Sequence, residues 1–238
     1  MLKGKEILTE PKEAFFALIA PIGIDLSIVN EELSEALKIV SYYANEIRLT
    51  DILTQAKLVP DKFSNEVSRY QTYIDEGDKL VRKAKKKDFF SLYGIARVLQ
   101  WSREKYPDKK REDEIPTRVV HIFRQLKRVD EIKTLERIYG RNILYLGCYA
   151  SKKDRTNYLV NKMLKTQRGE NKSKLESEAL AIISTDEDER DKPHGQKIID
   201  CYPYADFIID CSSRASIKKS CRRLIEIFFG QPFISPNE

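Results

Sequence analysis

The feature that most constrains the fold is an apolar run that leads through a glycine turn into a stretch of helical periodicity. The run 15–19, Phe-Phe-Ala-Leu-Ile, has the length and the unbroken apolar character of a buried strand. The turn 20–23, Ala-Pro-Ile-Gly, follows it directly. After the turn, apolar residues recur as on one face of an amphipathic helix, at Leu26, Val29, Leu33, Ala36, Leu37 and Val40. A buried strand that leads straight into a helix is typical of an α/β protein with a parallel sheet.

The same alternation continues along the chain and predicts a parallel sheet of about five strands. Besides the first strand, we predict strands at residues 45–49, 119–123, 142–149 and 206–210. Residues 60–106 form a helical insertion after the second strand, and residues 151–195 form a lid-like region. Within that region the polar segments 166–172 and 185–191 are expected to be mobile. We therefore expect one domain over residues 1–238, a three-layer α/β fold with helices on both faces of the sheet.

The turn after the first strand lies where a phosphate-binding loop is expected, but it lacks the residues that such a loop needs. In a working loop, Gly-Lys-Ser/Thr ends the turn: backbone N–H groups cradle the phosphates, the Lys reaches the β- and γ-phosphate oxygens, and the hydroxyl ligates Mg²⁺. Here Ile24-Asp25-Leu26 occupies that stretch, and the Asp25 carboxylate would repel a phosphate. The sequence therefore predicts a nucleotide-kinase scaffold whose triphosphate site is damaged or repurposed.

Eight residues that follow predicted strands are candidates for contact with a nucleotide. Ligands of open α/β sheets bind at the carboxyl ends of the strands, so side chains that follow different strands are expected to meet there. The candidates are Pro21, Gly23, Ile24, Asp25, Thr50, Asp51, Arg124 and Arg155. Arg124 is the strongest of them, because a guanidinium just past a buried strand can bind a phosphate through two hydrogen bonds.

Several of these candidates also have a purely structural interpretation. Gly23 suits any tight turn between a strand and a helix, and Asp25 is well placed to cap the first helix. Thr50 and Asp51 can cap a helix after the second strand. Arg155 follows the fourth predicted strand, and with the loop lysine missing we assign it no catalytic role. These alternatives stay open at the level of sequence.

The net charge permits a polyanionic partner without requiring one. The chain carries 43 Lys and Arg against 37 Asp and Glu, a formal net charge of +6. The excess is concentrated in basic clusters at residues 83–87, 109–111 and 218–223. These clusters are compatible with a nucleic-acid partner, but they contain no interleaved aromatic residues that could stack on bases. Solvated helix faces are therefore the favoured interpretation.

The cysteines and the apolar segments point to a reduced, aqueous compartment. The four cysteines, Cys148, Cys201, Cys211 and Cys221, form no C-x-x-C pair and have no His at ligand spacing, so zinc is not expected. No apolar run approaches the roughly 20 residues that span a bilayer. The first residues also lack the apolar core of a signal peptide. We expect reduced thiols, no membrane partner and a cytoplasmic location.

A further set of segments resembles known families. The glycine turn followed by residues 122–127, 149–155 and 205–209 resembles the P-loop nucleoside monophosphate kinases. A narrower resemblance is to the N-terminal domain of the anti-phage dCTP deaminases, and it covers nearly the whole chain. It rests on residues 124–140, 186–206 and, most specifically, 230–236, Gly-Gln-Pro-Phe-Ile-Ser-Pro.

This resemblance implies a P-loop kinase-like domain with a role in nucleotide metabolism and antiviral defence. In that family a zinc deaminase domain follows such a domain and converts deoxycytidine nucleotides to deoxyuridine nucleotides. The resemblance implies a nucleotide ligand (dNTP, dNMP or ATP, with Mg²⁺) and a zinc deaminase domain as partner, in cis or in trans. It is also compatible with a homo-oligomer.

The chain itself lacks the motif for deamination. A zinc deaminase needs a His or Cys beside its catalytic Glu and a Pro-Cys-x-x-Cys sequence. Neither His121 nor His194, the two histidines, is followed two residues later by Glu, and no Pro-Cys-x-x-Cys occurs. We therefore expect a nucleotide-binding regulatory domain, either cut at a domain boundary or a short homologue. Two alternatives stay open: a stand-alone (deoxy)nucleoside monophosphate kinase, and an interaction scaffold that has lost ligand binding.

Overall fold

The computed structural model describes residues 13–107, 118–167, 169–187 and 198–230. In chain order the strands and helices are β1 (Glu13–Ile19), α1 (Leu26–Ile39), β2 (Tyr43–Arg48), α2 (Asp51–Gln55), α3 (Glu66–Ala84), α4 (Phe89–Lys105), β3 (Val119–Leu126), α5 (Val129–Tyr139), β4 (Ile143–Tyr149), α6 (Lys152–Thr166), α7 (Lys172–Glu187), α8 (Ile198–Cys201), β5 (Phe207–Asp210) and α9 (Arg214–Phe229). Among the helices of these described ranges, none is both long and apolar enough to cross a membrane.

The strands form one parallel sheet in the order β2-β3-β1-β4-β5. β1 lies in the centre, where Phe16 pairs with Ile122 of β3 on one side and with Leu144 of β4 on the other. A central parallel strand is buried on both faces, which explains the unbroken apolar run in the sequence. The parallel sheet and the helical insertion after β2 confirm the predicted three-layer, P-loop kinase-like α/β fold.

Helices cover both faces of the sheet. α1 and α9 pack together on one face, where Phe16 and Leu33 are fully buried and Leu224 nearly so. α4 and α5 cover the other face, where Phe123 and Leu135 are fully buried. Both cores hold the strands in register, so the carboxyl ends of β1, β2 and β3 lie at one edge of the sheet.

A third apolar cluster joins the glycine turn to the helices α3, α6 and α7. Ile22 of the turn is buried there with Ile74 of α3, Leu159 of α6 and Ile183 of α7. Burying an isoleucine side chain contributes about 1.5–3 kcal/mol. The turn is therefore anchored in the core of the lid-like region.

The structure extends the third strand beyond its predicted end. β3 continues to Leu126, because Arg48 of β2 pairs with Arg124 and Ile19 of β1 pairs with Leu126. The unbroken apolar run ends at Phe123, but the backbone pairing of the strand continues to Leu126. Arg124 therefore belongs to the strand itself, which fixes its position more firmly than a loop would.

Helix α7 reaches into both polar segments that the sequence predicted to be mobile. α7 spans Lys172–Glu187, so it takes in the end of segment 166–172 and the start of segment 185–191. Its polar sequence hides an inward face whose buried residues are Leu175, Ala179, Ile182, Ile183 and Asp186. Residue 168 and residues 188–191 lie outside the described residues.

Candidate functional site

A cleft of about 210 Å³ opens at the carboxyl edge of the sheet. Its lining consists of Ile22, Arg48, Thr50, Asp51, Arg69, Tyr70, Tyr73, Ile74, Arg124, Gln125 and Lys127. Four of these side chains are cationic, whereas Asp51 alone is acidic. Of the residues singled out in the sequence, Thr50, Asp51 and Arg124 are brought together here.

Arg124 reaches the cleft from β3, next to Arg48 of β2. Its Nη1 donates to Glu46 Oε1 over 2.6 Å, and its Nη2 lies 3.4 Å from Ser27 Oγ at the start of α1. The side chain is 17% exposed. A guanidinium has five N–H donors, so the contact with Glu46 orients Arg124 without using up its capacity to bind a ligand.

The wall contributed by α3 combines a cation with aromatic rings. The Asn65 side chain caps this helix by accepting a hydrogen bond of 2.8 Å from a backbone N–H of the first turn. Arg69 is held by Glu66 over 2.9 Å, and its guanidinium carbon lies 4.4 Å from the centre of the Tyr70 ring. Tyr73 lines the cleft from the next turn of the same helix.

Thr50 and Asp51 line the cleft at the start of α2. The Thr50 side chain makes no capping hydrogen bond, so its hydroxyl is not committed to the helix. Burial raises the pKa of the Asp51 carboxyl, against the lowering effect of Arg48 and other nearby arginines. Asp51 therefore keeps its proton to a higher pH than an ordinary aspartate, and its ionised form is the part of the lining that opposes an anion.

Lys127 is a cleft residue that the sequence analysis missed. Its Nζ donates to the Ala20 carbonyl over 2.8 Å and to the two carboxylate oxygens of Asp186 over 2.6 and 2.9 Å. The available signal was its place directly after the buried strand β3, the same signal that singled out Arg124. An ammonium group therefore lies beside the glycine turn although the loop lysine is missing.

The glycine turn itself is closed to a phosphate in this structure. The backbone N–H of Ile22 donates to Asp186 Oδ2 over 2.6 Å, so a carboxylate from α7 occupies a donor that a phosphate would use. Gly23 has φ +95°, and a Cβ at this position would lie 2.6 Å from Cβ of Arg155. α6 therefore packs directly on the turn.

The other predicted site residues do not line the cleft. Pro21 is buried, and Ile24 packs on the core beneath α1. Asp25 caps α1 by accepting a hydrogen bond of 3.0 Å from a backbone N–H of its first turn, which is the structural role that the sequence left open. Arg155 is buried, donates to Glu187 and lies 3.4 Å from a carbonyl of the turn. Its guanidinium thus ties α6 to α7 and to the turn.

The arrangement is suited to a ligand that combines an anionic group with an apolar or planar part. Arginine forks bind phosphate or carboxylate through paired, charge-assisted hydrogen bonds. Tyr70 and Tyr73 add aromatic surface to the lining, with Arg69 over the Tyr70 ring. Across the residues that the structure describes, no group of three or more His, Cys, Asp or Glu side chains is arranged to hold a metal ion.

No protein-family model matches the chain, and no curated protein sequence matches it. Among solved structures, a gluconokinase from Sinorhizobium meliloti 1021 is similar to the chain, with 91% of this chain and 93% of that chain covered. The sequence identity is 11% and the TM-score is 0.38. A likeness at this level carries no argument about function, and the comparisons give no support to membership of the anti-phage dCTP deaminase family.

Proposed function

We propose that the chain is a regulatory domain that binds a nucleotide, most simply a nucleoside monophosphate, in the cleft at the carboxyl edge of the sheet. The observation that carries the proposal is the composition of the lining. Arg48, Arg69, Arg124 and Lys127 share one cavity with the rings of Tyr70 and Tyr73.

The cations account for the phosphate end of the ligand. Charge-assisted hydrogen bonds are roughly twice as strong as neutral ones, and Arg124 is already oriented by Glu46. Because Glu46 also lies 3.5 Å from Arg48, one carboxylate serves two guanidinium groups on this wall. Arg48 and Arg124 together carry two positive charges against the single negative charge of Glu46, and this balance favours an anion.

The tyrosines account for the base. Stacking of a nucleobase on an aromatic side chain contributes about 1–3 kcal/mol and tolerates any base. Tyr70 and Tyr73 lie on α3, whereas Arg48 and Arg124, which would bind the phosphate, lie on β2 and β3. A ligand with a phosphate at one end and a planar ring at the other matches this distribution.

A triphosphate at the glycine turn fits the residues poorly. The turn lacks the lysine, and losing one charge-assisted contact costs about 1.5–3 kcal/mol, or about ten- to a hundredfold in affinity. The Ile22 N–H is already bonded to Asp186, and the hydroxyl that ligates Mg²⁺ in a working loop is absent from Ile24-Asp25-Leu26. We therefore derive no phosphoryl transfer and no Mg²⁺ site at the turn.

The regulated partner in this proposal is a zinc deaminase domain, in cis or in trans, within one nucleotide-sensing unit. Its support is the resemblance of residues 230–236 to the segment that leads into such a domain in the anti-phage deaminases. The test is the deaminase activity of that domain with and without this chain and its nucleotide. An activity that responds to neither addition would remove the regulatory part and leave nucleotide binding to stand on its own.

The binding proposal is tested by a thermal-shift screen across dNMPs, dNTPs, ATP and GTP, followed by calorimetry on the best ligand. A ligand that binds only the folded state raises the melting temperature. Arg124→Ala should weaken binding by about ten- to a hundredfold, the magnitude of a charged hydrogen bond, while the far-ultraviolet circular dichroism stays unchanged.

The matched controls are Arg103→Ala, an exposed arginine on α4, and Lys86→Ala in an exposed basic cluster. Both should bind as the wild type does. Equal losses in all three variants would mean that a diffuse basic surface binds the ligand. Unchanged binding in Arg124→Ala would remove the cleft as the site.

A further inference from the structure

Asp186 is an acid enclosed at the centre of the lid-like region. Its side chain is 0% exposed, although it lies in the last turn of α7. Both of its oxygens are bonded: Oδ2 accepts from the Ile22 N–H, and both oxygens accept from Lys127 Nζ. A buried carboxylate is tolerated only when its charge is paired and its oxygens are hydrogen-bonded, and here both conditions are met.

The two groups that hold Asp186 are those that a phosphate would need. One is a backbone N–H of a turn between a strand and a helix, and the other is an ammonium group. Lys127 also lines the cleft, and its side chain is 10% exposed. It therefore stands between the buried carboxylate and the cavity in which the phosphate of a ligand would lie.

We propose that Lys127 is a phosphate subsite that Asp186 occupies in the free protein, and that a phosphate bound in the cleft takes Lys127 from Asp186 and thereby frees the Ile22 N–H. The inference rests on the proposed function, because it needs an anion in the cleft. Nucleotide binding would then be coupled to the last turn of α7.

The difference in charge favours the transfer of Lys127 from Asp186 to the phosphate. A phosphate monoester carries about −1.5 to −2 charges at pH 7 and has three acceptor oxygens, whereas Asp186 offers one charge and two oxygens. Arg124 and Arg69 line the same cleft and add attraction for a ligand that is bound there. Lys127 also keeps its hydrogen bond to the Ala20 carbonyl, so the ammonium group stays in place during the exchange.

The structural response should be confined to the end of α7. Leu175, Ala179 and Ile183 bury the rest of the helix in the lid-like region and do not depend on Asp186. The next residue, Glu187, pairs with Arg155 and lies 3.6 Å from Lys152. Release of Asp186 would therefore loosen the last turn and the contact between α6 and α7, and would leave the Ile22 N–H open.

The test compares Asp186→Asn with Glu187→Gln in the full chain, with inorganic phosphate as the probe in calorimetry. The first change removes the competing charge and keeps the size of the side chain. The second removes the neighbouring carboxylate, which does not bond to Lys127. We expect Asp186→Asn to bind phosphate at least tenfold more tightly than the wild type, and Glu187→Gln to differ by less than twofold.

Hydrogen exchange on the wild type provides the second measurement and does not depend on how well the variants fold. A saturating nucleoside monophosphate should speed exchange at the Ile22 amide and in the last turn of α7, while the cleft wall of α3 becomes protected. Protection of α3 without any change at Ile22 or α7 would overturn the proposed transfer of Lys127 from Asp186 to the phosphate, and would leave the proposed function intact. Equal phosphate affinity in all three proteins would also overturn it. Tighter phosphate binding by Asp186→Asn in a protein whose wild type binds no nucleotide would support the subsite and refute the proposed function.

Discussion

Replacing Gly23 by alanine tests whether the turn is shaped by its contact with α6. Gly23 has φ +95°, so any L side chain is strained there, and the added Cβ would lie 2.6 Å from Arg155 Cβ, 2.9 Å from the Arg155 carbonyl oxygen and 3.0 Å from its Cα. Two of these three atoms belong to the backbone, which cannot swing away as the end of a side chain can. The substitution therefore combines backbone strain with overpacking.

Gly169 is a matched control, because it has φ +93° and a Cβ there would meet nothing within 4 Å. Gly169→Ala should cost about 1–2 kcal/mol of the free energy of unfolding, the strain of a left-handed conformation. Gly23→Ala should lower the free energy of unfolding by about 1–3 kcal/mol more than Gly169→Ala does, which is the usual magnitude of overpacking. For a chain of this size each kcal/mol lowers the melting temperature by about 2–4 °C.

The assay is equilibrium unfolding in urea, with the free energy of unfolding and its dependence on denaturant fitted for both variants. The difference between the variants isolates the steric contact, because the strain is nearly the same in both. If the two free energies agree within about 0.5 kcal/mol, the spread of ordinary surface substitutions, the turn does not depend on its packing against α6. The packing of α6 on the turn would then not determine the shape of the turn.

Two further predictions concern the cleft and the turn. Because burial raises the pKa of Asp51, anion affinity of the wild type should fall as pH rises through that raised pKa and the carboxyl loses its proton. Above the pKa of Asp51, the Asp51→Asn variant should bind the anion more tightly than the wild type, and its affinity should not show this fall with pH. Calorimetry from pH 4 to 7 on both proteins would test this, because the titration of the ligand itself affects both equally. The isolated chain should also form no enzyme-dependent ADP from ATP with any dNMP and should not deaminate deoxycytidine nucleotides; measurable ADP in a coupled assay would favour the kinase alternative.

Local sequence patterns predicted the elements that position the site. The apolar run of β1, the turn and the spacing of Leu26 and Leu33 are short-range features, and they determine a strand, a connection and a buried helix face. The rule that ligands lie at the carboxyl ends of parallel strands then placed Thr50, Asp51 and Arg124 at one edge. The structure brings these three together in the cleft lining.

The residues that close the turn could not be found in this way. Asp186 is separated from Ile22 by 164 positions and from Lys127 by 59, so no local pattern connects them. The polar run around Asp186 has the composition of an exposed segment, and its burial depends on a partner that only the tertiary fold supplies. The pairing of Arg155 was hidden from the sequence for the same reason, because its partner Glu187 lies on another helix.

In the folded chain, the turn that lacks the lysine is therefore stabilised by contacts within the protein. An empty cradle of backbone donors would be costly to bury, because an unsatisfied buried N–H costs about 1–3 kcal/mol. The chain satisfies the Ile22 N–H with its own carboxylate, and it neutralises that carboxylate with Lys127 from the end of β3. The turn keeps its place in the fold through these internal contacts. The cations Arg124 and Arg69 line the neighbouring cleft, and recognition of a nucleotide is accordingly expected there.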